Sequence, residues 1–228
     1  MIKLENTDVF GWEAAIRGMR NPMNSWDQSD TDYVECTWDD ADKWIDMYEI
    51  ELIDDTTRPM GKIIGENDLK LMKSLSKAGS DHGKFLRMIN VTVDITAPLY
   101  WWKEFDTYKV GTVANSCSTM HKIHAKEFTV DDFSIEHLQI SASEVFMHLL
   151  YWLNEYRDRY LESKDKDDWW QMIQLLPSSY NQKRTVQLNY QVLKSMYFAR
   201  INHKLDEWRE FCKWCETLQY FKEICVND

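Results

Sequence analysis

The sequence predicts an α+β fold that is mostly helical, with a small antiparallel or mixed sheet. Residues 89–95 alternate Ile and Val with polar residues, as a strand with one covered face does. Several longer segments instead repeat apolar residues at spacings of three and four, which is typical of amphipathic helices. Only 7 Gly and 4 Pro occur in 228 residues, too few for a turn-rich β protein or a disordered chain.

Composition favours one folded domain. The chain is 44% hydrophobic and contains 11 Trp, which is ample material for a core. No stretch in its middle has the composition of a linker. We therefore expect residues 1–228 to form a single domain.

The charge balance argues against two classes of partner. A formal net charge of −11 disfavours unspecific binding to nucleic acid or to an anionic membrane, because such binding requires a surplus of Lys and Arg on one face. No apolar run approaches the roughly 20 residues of a transmembrane helix, and the N-terminus lacks a signal-peptide pattern. Five Cys, an odd number, argue against a disulfide framework. We expect a cytoplasmic protein with reduced thiols.

In the first 98 residues, the pattern predicts helices over 11–20 and 38–48, a strand over 49–53 and a turn at Pro59-Met60-Gly61. Asn67 is the expected N-cap of a further helix through Ser76, which Gly79 would end in a left-handed conformation. The strand of residues 89–95 would stop near Pro98.

The stretch from Ala97 to Met120 has the composition of a binding site. Tyr100 to Thr107 is compatible with a helix, and a loop of small residues follows. Hydroxyl groups at Ser116, Ser118 and Thr119 can hydrogen-bond a phosphate or a base, and they can equally satisfy a turn.

Downstream, the spacing predicts three helices joined by short connections. The first covers 133–163, and its apolar stripe consists of Leu138, Ala142, Val145, Leu149, either Trp152 or Leu153, and Tyr156. Lys164 to Asp168 is a charged connection. The second starts at Leu176-Pro177 and runs through Val186 to Arg200, and the last covers 205–224 with Trp208, Phe211 and Cys215 on its apolar face.

Motifs for metal or nucleophilic chemistry are weak. Cys212 and Cys215 form a C-x-x-C within the last predicted helix, without a second pair, so burial is favoured over metal binding. His121 and His124 lack further ligands at metal spacing. No phosphate-binding Gly loop, nucleophile elbow or H-E-x-x-H occurs, so no metal site and no catalytic residue is assigned.

In motif order the chain resembles the flavin-dependent thymidylate synthases, the ThyX family. A turn with His82-Gly83-Lys84-Phe85 precedes a strand that ends at Ala97-Pro98, where the family has A-P or C-P. Lys103-Glu104 stands where the family has Arg-Gln, and Thr107-Tyr108-Lys109 stands where it has Arg-His-Arg. Leu176-Pro177 leads without a gap to Asn189 and Arg200 at the family's spacing. The match covers a little under half of the chain.

This resemblance implies roles for six residues. Substrate binding falls to Arg200, Ser118 and Glu104, and cofactor binding to His82, Lys109 and Asn189. The chain departs from the family at Thr107 and Tyr108, and Met120 replaces an Arg in the family's Ser-x-Arg-Tyr, so replacement cations are expected among Lys122, Lys126, Lys183 and Arg184. The alternative for Arg200 is a pair with Asp206 or Glu207, and for Asn189 an exposed helix position.

The implied activity is the reductive methylation of dUMP to dTMP. In that scheme FAD carries a hydride from NADPH, methylenetetrahydrofolate gives the carbon, and homotetramers share active sites between subunits. No protein nucleophile is required, in keeping with a sequence in which no pair of nucleophile and base is recognised. The alternative is a pyrimidine-nucleotide-binding or nucleotide-modifying homologue with lost or altered flavin binding.

Overall fold

The computed structural model describes residues 1–35 and 60–226, and the helix and strand predicted over 38–48 and 49–53 lie outside them. The α+β class is confirmed. The strands are β1 (Lys3–Phe10), β2 (Asp32–Glu35), β3 (Met60–Ile63), β4 (Asn90–Pro98), β5 (Val113–Ser116) and β6 (Asn181–Asn189). The helices are α1 (Trp12–Arg20), α2 (Glu66–Lys77), α3 (Leu99–Phe105), α4 (Ile140–Ser163), α5 (Lys166–Leu175), α6 (Tyr190–Arg200) and α7 (Asp206–Thr217).

The strands form two sheets. Four of them make a small antiparallel sheet in the order β1-β4-β6-β5. The other two, β2 and β3, pair antiparallel with Asp32 opposite Ile63 and Glu35 opposite Met60. Met60 and Gly61, predicted to form a turn, are therefore strand residues, and this prediction was wrong.

The chain divides into two compact units. The first unit comprises Met1–Lys3, Ile95–Thr107 and Asn115–Thr185. The second comprises Leu4–Asp94, Tyr108–Ala114 and Val186–Asp228. The single domain expected from the composition stays a prediction.

In the second unit, α1 and α2 form close to where the sequence places them. Trp12, Ile16 and Met19 of α1 are buried at helical spacing. Helix α2 ends at Lys77 before Gly79, whose φ of 101° is left-handed as expected. The predicted Asn67 cap was wrong, because α2 already begins at Glu66. Its first-turn N–H groups donate instead to the carboxylate of Asp30, a cap remote in sequence.

A buried ion pair holds the segment after α1 against α2. Arg20 Nε lies 2.7 Å from Asp68 Oδ1, and the two side chains are 3% and 0% exposed. Asp68 Oδ2 accepts hydrogen bonds from the hydroxyls of Ser29 and Thr31. Burial by itself raises the pKa of Asp68, but hydrogen bonds from Thr31, Ser29 and Arg20 outweigh it, so the pKa lies below its ordinary value.

The first unit has its own apolar cluster around α4. Phe146, Leu150 and Leu153 of α4 pack with Met172 of α5 and with Phe133. The predicted start of this helix at Phe133 was wrong, because Phe133 forms a β-bridge with Tyr180. The predicted stripe was wrong in its first half, because Val145 is 72% and Leu138 40% exposed. Its second half is confirmed: Leu153 is buried, and Leu149 and Tyr156 pack against the cluster.

Two further predictions about the C-terminal half need correction. Most of the charged connection predicted over Lys164–Asp168 belongs to α5, whose N-cap Asp165 accepts a hydrogen bond from the N–H of Asp167. Leu176-Pro177 leads to strand β6, and the helix predicted through Val186 begins only at Tyr190. In α7, by contrast, Trp208, Phe211 and Cys215 are buried as predicted.

Replacing Asp68 by Asn should destabilise the protein by about 3–5 kcal/mol, because the buried Arg20 charge would lose its counter-ion. Urea unfolding at neutral pH measures this change. Since the folded-state pKa of Asp68 is lowered, the carboxylate contributes stability above its unfolded-state pKa and loses it as pH falls through the folded-state pKa. The variant should therefore show less acid destabilisation.

The control is Glu13→Gln, which removes one charge from an exposed pair with Arg17 on α1. We expect a change under about 0.5 kcal/mol for this variant. Equal effects of the two substitutions would contradict the role assigned to the Arg20–Asp68 pair.

Candidate functional site

The six predicted site residues lie in both units. Arg200, Asn189, Lys109 and His82 belong to the second unit. Glu104 and Ser118 belong to the first.

Arg200 is the last residue of α6, and its guanidinium is held by two aromatic side chains. Its Nε donates a hydrogen bond to the hydroxyl of Tyr108 at 3.0 Å. The guanidinium carbon lies 4.8 Å from the ring centroid of Trp208, which is fully buried, and 5.6 Å from that of Tyr108. Such contacts restrict the rotamers of the arginine. Asp206 accepts a hydrogen bond from Arg209. The alternative that Arg200 pairs with Asp206 or Glu207 stays a prediction.

Asn189 joins β6 to α6 and adjoins the loop that carries Tyr108. Its Oδ1 accepts a hydrogen bond from the N–H of Val192 at 3.1 Å, so the side chain is the N-cap of α6. Gly111 has a φ of 79°, and a Cβ there would stand 3.2 Å from Asn189 Nδ2 and 3.1 Å from Val192 Cγ2. The loop backbone thus passes directly over the start of α6. The alternative of an exposed helix position for Asn189 is wrong.

Lys109 and His82 are both exposed. Neither side chain has a hydrogen-bond or ion-pair partner within residues 1–35 and 60–226. The backbone N–H of His82 donates to the carbonyl of Gly79 in the turn after α2. Both side chains can therefore contact a ligand without first breaking a contact.

In the first unit, Ser118 and Glu104 take part in backbone turns. Ser118 Oγ accepts hydrogen bonds from the N–H groups of Met120 and His121, at 3.2 and 2.8 Å. The carbonyl of Glu104 accepts a bond from the hydroxyl of Thr107 at 2.7 Å. For Ser118 the turn-forming alternative is thus present, while its hydroxyl proton can still be donated. Thr107, which stands where the family has its first Arg, uses its hydroxyl within the turn after α3.

Two expected replacement cations of this unit are already paired. Lys126 lies 2.5 Å from Asp132, and the hydrogen bond to that carboxylate raises the pKa of Lys126. Arg184 donates to both carboxylate oxygens of Asp106, at 2.7 and 3.4 Å. Its Nε donates to Gln182, and its guanidinium lies 4.1 Å from the ring centroid of Trp102. Gln182 in turn donates to the carbonyl of Cys117, next to Ser118.

Three residues of these arrangements escaped the sequence analysis: Tyr108 and Trp208 as partners of Arg200, and Arg184 as a structural arginine. Tyr108 stands where the ThyX family has a histidine, and this difference could have marked it as a candidate site residue. Nothing in the spacing of Trp208 separates it from an ordinary core residue.

The two pairs of possible metal ligands are Cys212 with Cys215 and His121 with His124. Burial raises the pKa of Cys212 to about 11 and that of Cys215 well above the ordinary thiol value, so both thiols stay protonated. His121 is exposed, and burial lowers the pKa of His124. Within the part of the chain that is described, no three His, Cys, Asp or Glu side chains are placed to hold a metal ion.

A flavin requires cations for its phosphates and hydrogen-bond donors for the edge of its ring system. Lys109 fits the first requirement, and the Asn189 amide, whose Nδ2 faces the close-approaching Gly111 backbone, fits the second. These residues would hold the group, with His82 as a further donor. The segment 107–109 contains one cation, Lys109.

Comparison with known proteins relates the fold to flavin-dependent thymidylate synthases. No family model and no curated protein matches the chain. Among solved structures, the flavin-dependent thymidylate synthase ThyX from Helicobacter pylori, complexed with FAD and dUMP, matches with a TM-score of 0.65 and 14% identity, over 99% of this chain and 98% of that one. A second structure of Thymidylate Synthase X from Helicobacter pylori with FAD and dUMP has a TM-score of 0.65 and 13% identity, with full coverage of both chains.

At these identities the likeness establishes a ThyX-like fold. Within residues 1–35 and 60–226, no helix has the length and apolar character needed to cross a membrane.

Replacing Gly111 by Ala should destabilise the protein by about 2–3 kcal/mol, since the new Cβ combines a left-handed backbone with close contacts to Val192 and Asn189. Gly79→Ala is the matched control, because Gly79 is also left-handed but a Cβ there meets nothing within 4 Å. We expect about 1 kcal/mol for that variant in urea unfolding. Equal losses would contradict the close approach of the loop to α6.

Proposed function

We propose that this protein is a divergent flavin-dependent thymidylate synthase, which converts dUMP to dTMP by reductive methylation in the cytoplasm. The proposal draws on the likeness to the Helicobacter pylori structures with FAD and dUMP. Its central observation is Arg200, an arginine at the end of α6 held by Tyr108 and Trp208. A planar cation with fixed direction suits a nucleotide, whose phosphate and base edges accept hydrogen bonds.

The protein residues act by binding and orientation. Arg200 binds the nucleotide through charge-assisted hydrogen bonds. Substrate binding is also assigned to Ser118 and Glu104, which belong to the first unit. Lys109, Asn189 and His82 hold the flavin. Bound FAD supplies hydride transfer from NADPH, and methylenetetrahydrofolate donates the carbon. No residue of the chain is assigned as a nucleophile, and the protein's contribution is to position these reactants. We further propose a homotetramer, in which neighbouring subunits complete the sites.

A second candidate is a pyrimidine-nucleotide-binding or nucleotide-modifying protein with lost or altered flavin binding. The hydroxyl of Thr107 is bonded to the Glu104 carbonyl, and the hydroxyl of Tyr108 to Arg200. Lys109 is then the one cation at the three positions of the family's Arg-His-Arg. This observation favours weakened binding of the flavin phosphates, while leaving the arginine proposed for the nucleotide in place.

A visible absorption spectrum of the freshly purified protein separates the two candidates. It is recorded again after addition of FAD and desalting. Retained flavin bands support the synthase, and turnover of dUMP with NADPH and methylenetetrahydrofolate then tests the reaction. A colourless protein that does not retain FAD but binds dUMP in calorimetry supports the second candidate.

Replacing Arg200 by Ala should weaken dUMP binding by about 1.5–3 kcal/mol, the contribution of a hydrogen bond to a charged group. Isothermal titration calorimetry measures this change, with the melting temperature as a check of folding. Arg17→Ala is the control, because Arg17 is an exposed arginine of the same unit on α1, a helix that carries none of the six predicted site residues. Unchanged dUMP affinity in a folded Arg200→Ala protein would rule out this role for Arg200.

A further inference from the structure

Tyr108 contacts the arginine proposed to bind the nucleotide. Its hydroxyl accepts a hydrogen bond from Arg200 Nε at 3.0 Å, although the two residues are 92 positions apart. Its ring lies 6.2 Å from that of Trp208 in an edge-on arrangement. Arg200, Tyr108 and Trp208 therefore contact one another pairwise, all within the second unit.

The backbone around Tyr108 is fixed independently of this contact. The hydroxyl of Thr112 donates to the carbonyl of Tyr108 at 2.6 Å, which closes the loop that carries the tyrosine. Gly111, within the same loop, lies against Asn189 and Val192 at the start of α6. The loop therefore packs against the first turn of α6, while its Tyr108 contacts Arg200 at the last turn of the same helix. The backbone position of Tyr108 is thus set by contacts other than the one to Arg200.

An arginine side chain otherwise samples many rotamers, and ordering it on ligand binding opposes affinity. Here the Tyr108 hydroxyl holds Nε, and the buried Trp208 ring lies 4.8 Å from the guanidinium carbon. Together these contacts restrict the orientations that the guanidinium and its terminal nitrogens can adopt. Tyrosine performs this function without adding charge next to the cation, which a protonated histidine would do.

We propose that Tyr108 is a positioning residue, which orients Arg200 for binding a pyrimidine nucleoside monophosphate. The proposal rests on the proposed function, because it assigns Arg200 to the nucleotide. By the family resemblance, Tyr108 stands at the histidine of the Arg-His-Arg motif, which binds the flavin. The proposal assigns Tyr108 to the nucleotide instead, so the role of this position differs from the role that the resemblance implies.

The test is a double-mutant cycle with dUMP as the probe in isothermal titration calorimetry. Tyr108→Phe keeps the ring and removes the hydroxyl, and we expect it to weaken dUMP binding roughly tenfold. In an Arg200→Ala background the same substitution should change the affinity less than about twofold, because the group that Tyr108 orients is gone. A purely structural role would give the same fold-change in both backgrounds.

Tyr197→Phe is the matched control. Its hydroxyl donates to a Glu216 carboxylate oxygen at 2.6 Å in the same unit, so this substitution also removes one hydroxyl bonded to a charged group. We expect it to leave dUMP affinity unchanged. Melting temperatures of all variants identify any that do not fold.

A ligand-free measurement tests the anchoring itself. In 15N-detected NMR of the full-length protein, the Nε–H of Arg200, assigned by its loss in Arg200→Lys, should exchange slowly with solvent. In Tyr108→Phe the exchange of this proton should accelerate at least tenfold, because its acceptor is removed. Equally fast exchange in both proteins would overturn the proposal.

The outcomes separate this inference from the proposed function. If the unaltered protein does not bind dUMP, both the function and the nucleotide role of Tyr108 are overturned. If the unaltered protein and Tyr108→Phe bind dUMP equally well, the function survives and the positioning role is overturned. The function and the positioning role are both supported if Tyr108→Phe binds dUMP more weakly than the unaltered protein and the same substitution has no such effect in the Arg200→Ala background.

Discussion

The arrangement of the candidate site depends on the hydrogen bond from the Val192 N–H to Asn189 Oδ1. It lets β6 turn into α6 without an intervening loop, because the side chain satisfies an N–H group that the first helical turn leaves open. The N–H of Tyr190 still donates to the carbonyl of Ile89, so the sheet pairing reaches the first helical residue. Arg200 stands ten residues later, about 15 Å along a helix whose origin is fixed by the sheet.

Tyr190 secures the same junction from the core side. Its hydroxyl donates to the carbonyl of Gln219 at 2.5 Å, and its ring meets Trp12 and Phe221 edge-on at 5.5 and 5.4 Å. These aromatic contacts connect the start of α6 with α1 and with the segment after α7. Because Tyr190 is fully buried, tilting α6 would disturb packing on several sides. The rigidity of the helix that ends in Arg200 follows from this packing.

The sequence predicted elements with a single clear periodicity and missed those where a polar residue interrupts it. β4 alternates from Asn90 to Ala97 and α1 has a regular apolar stripe, so both were found close to their true positions. The start of α7 was also found, but its predicted end at Ile224 was wrong, because α7 ends at Thr217. β6 was predicted as helix because a buried Gln182 hides its alternation, while Val186 and Tyr190 lie four residues apart, as on a helix. The α2 cap escaped notice because Asp30 is remote in sequence. Asn189 and Arg200 came from motif order, whereas the Tyr108–Arg200 bond arises from the tertiary structure alone.

The chain's charge explains why a fixed arginine matters here. With a net charge of −11, the long-range field repels a nucleotide, and this repulsion is screened beyond about 8 Å at physiological ionic strength. Affinity for an anion must then come from short-range hydrogen bonds to cations that are already in place. Thr107 and Tyr108 carry no charge, and the Tyr108 hydroxyl accepts a hydrogen bond from Arg200. In the proposed site, selectivity would come from geometry, since an oriented guanidinium distinguishes acceptors by direction as well as by charge.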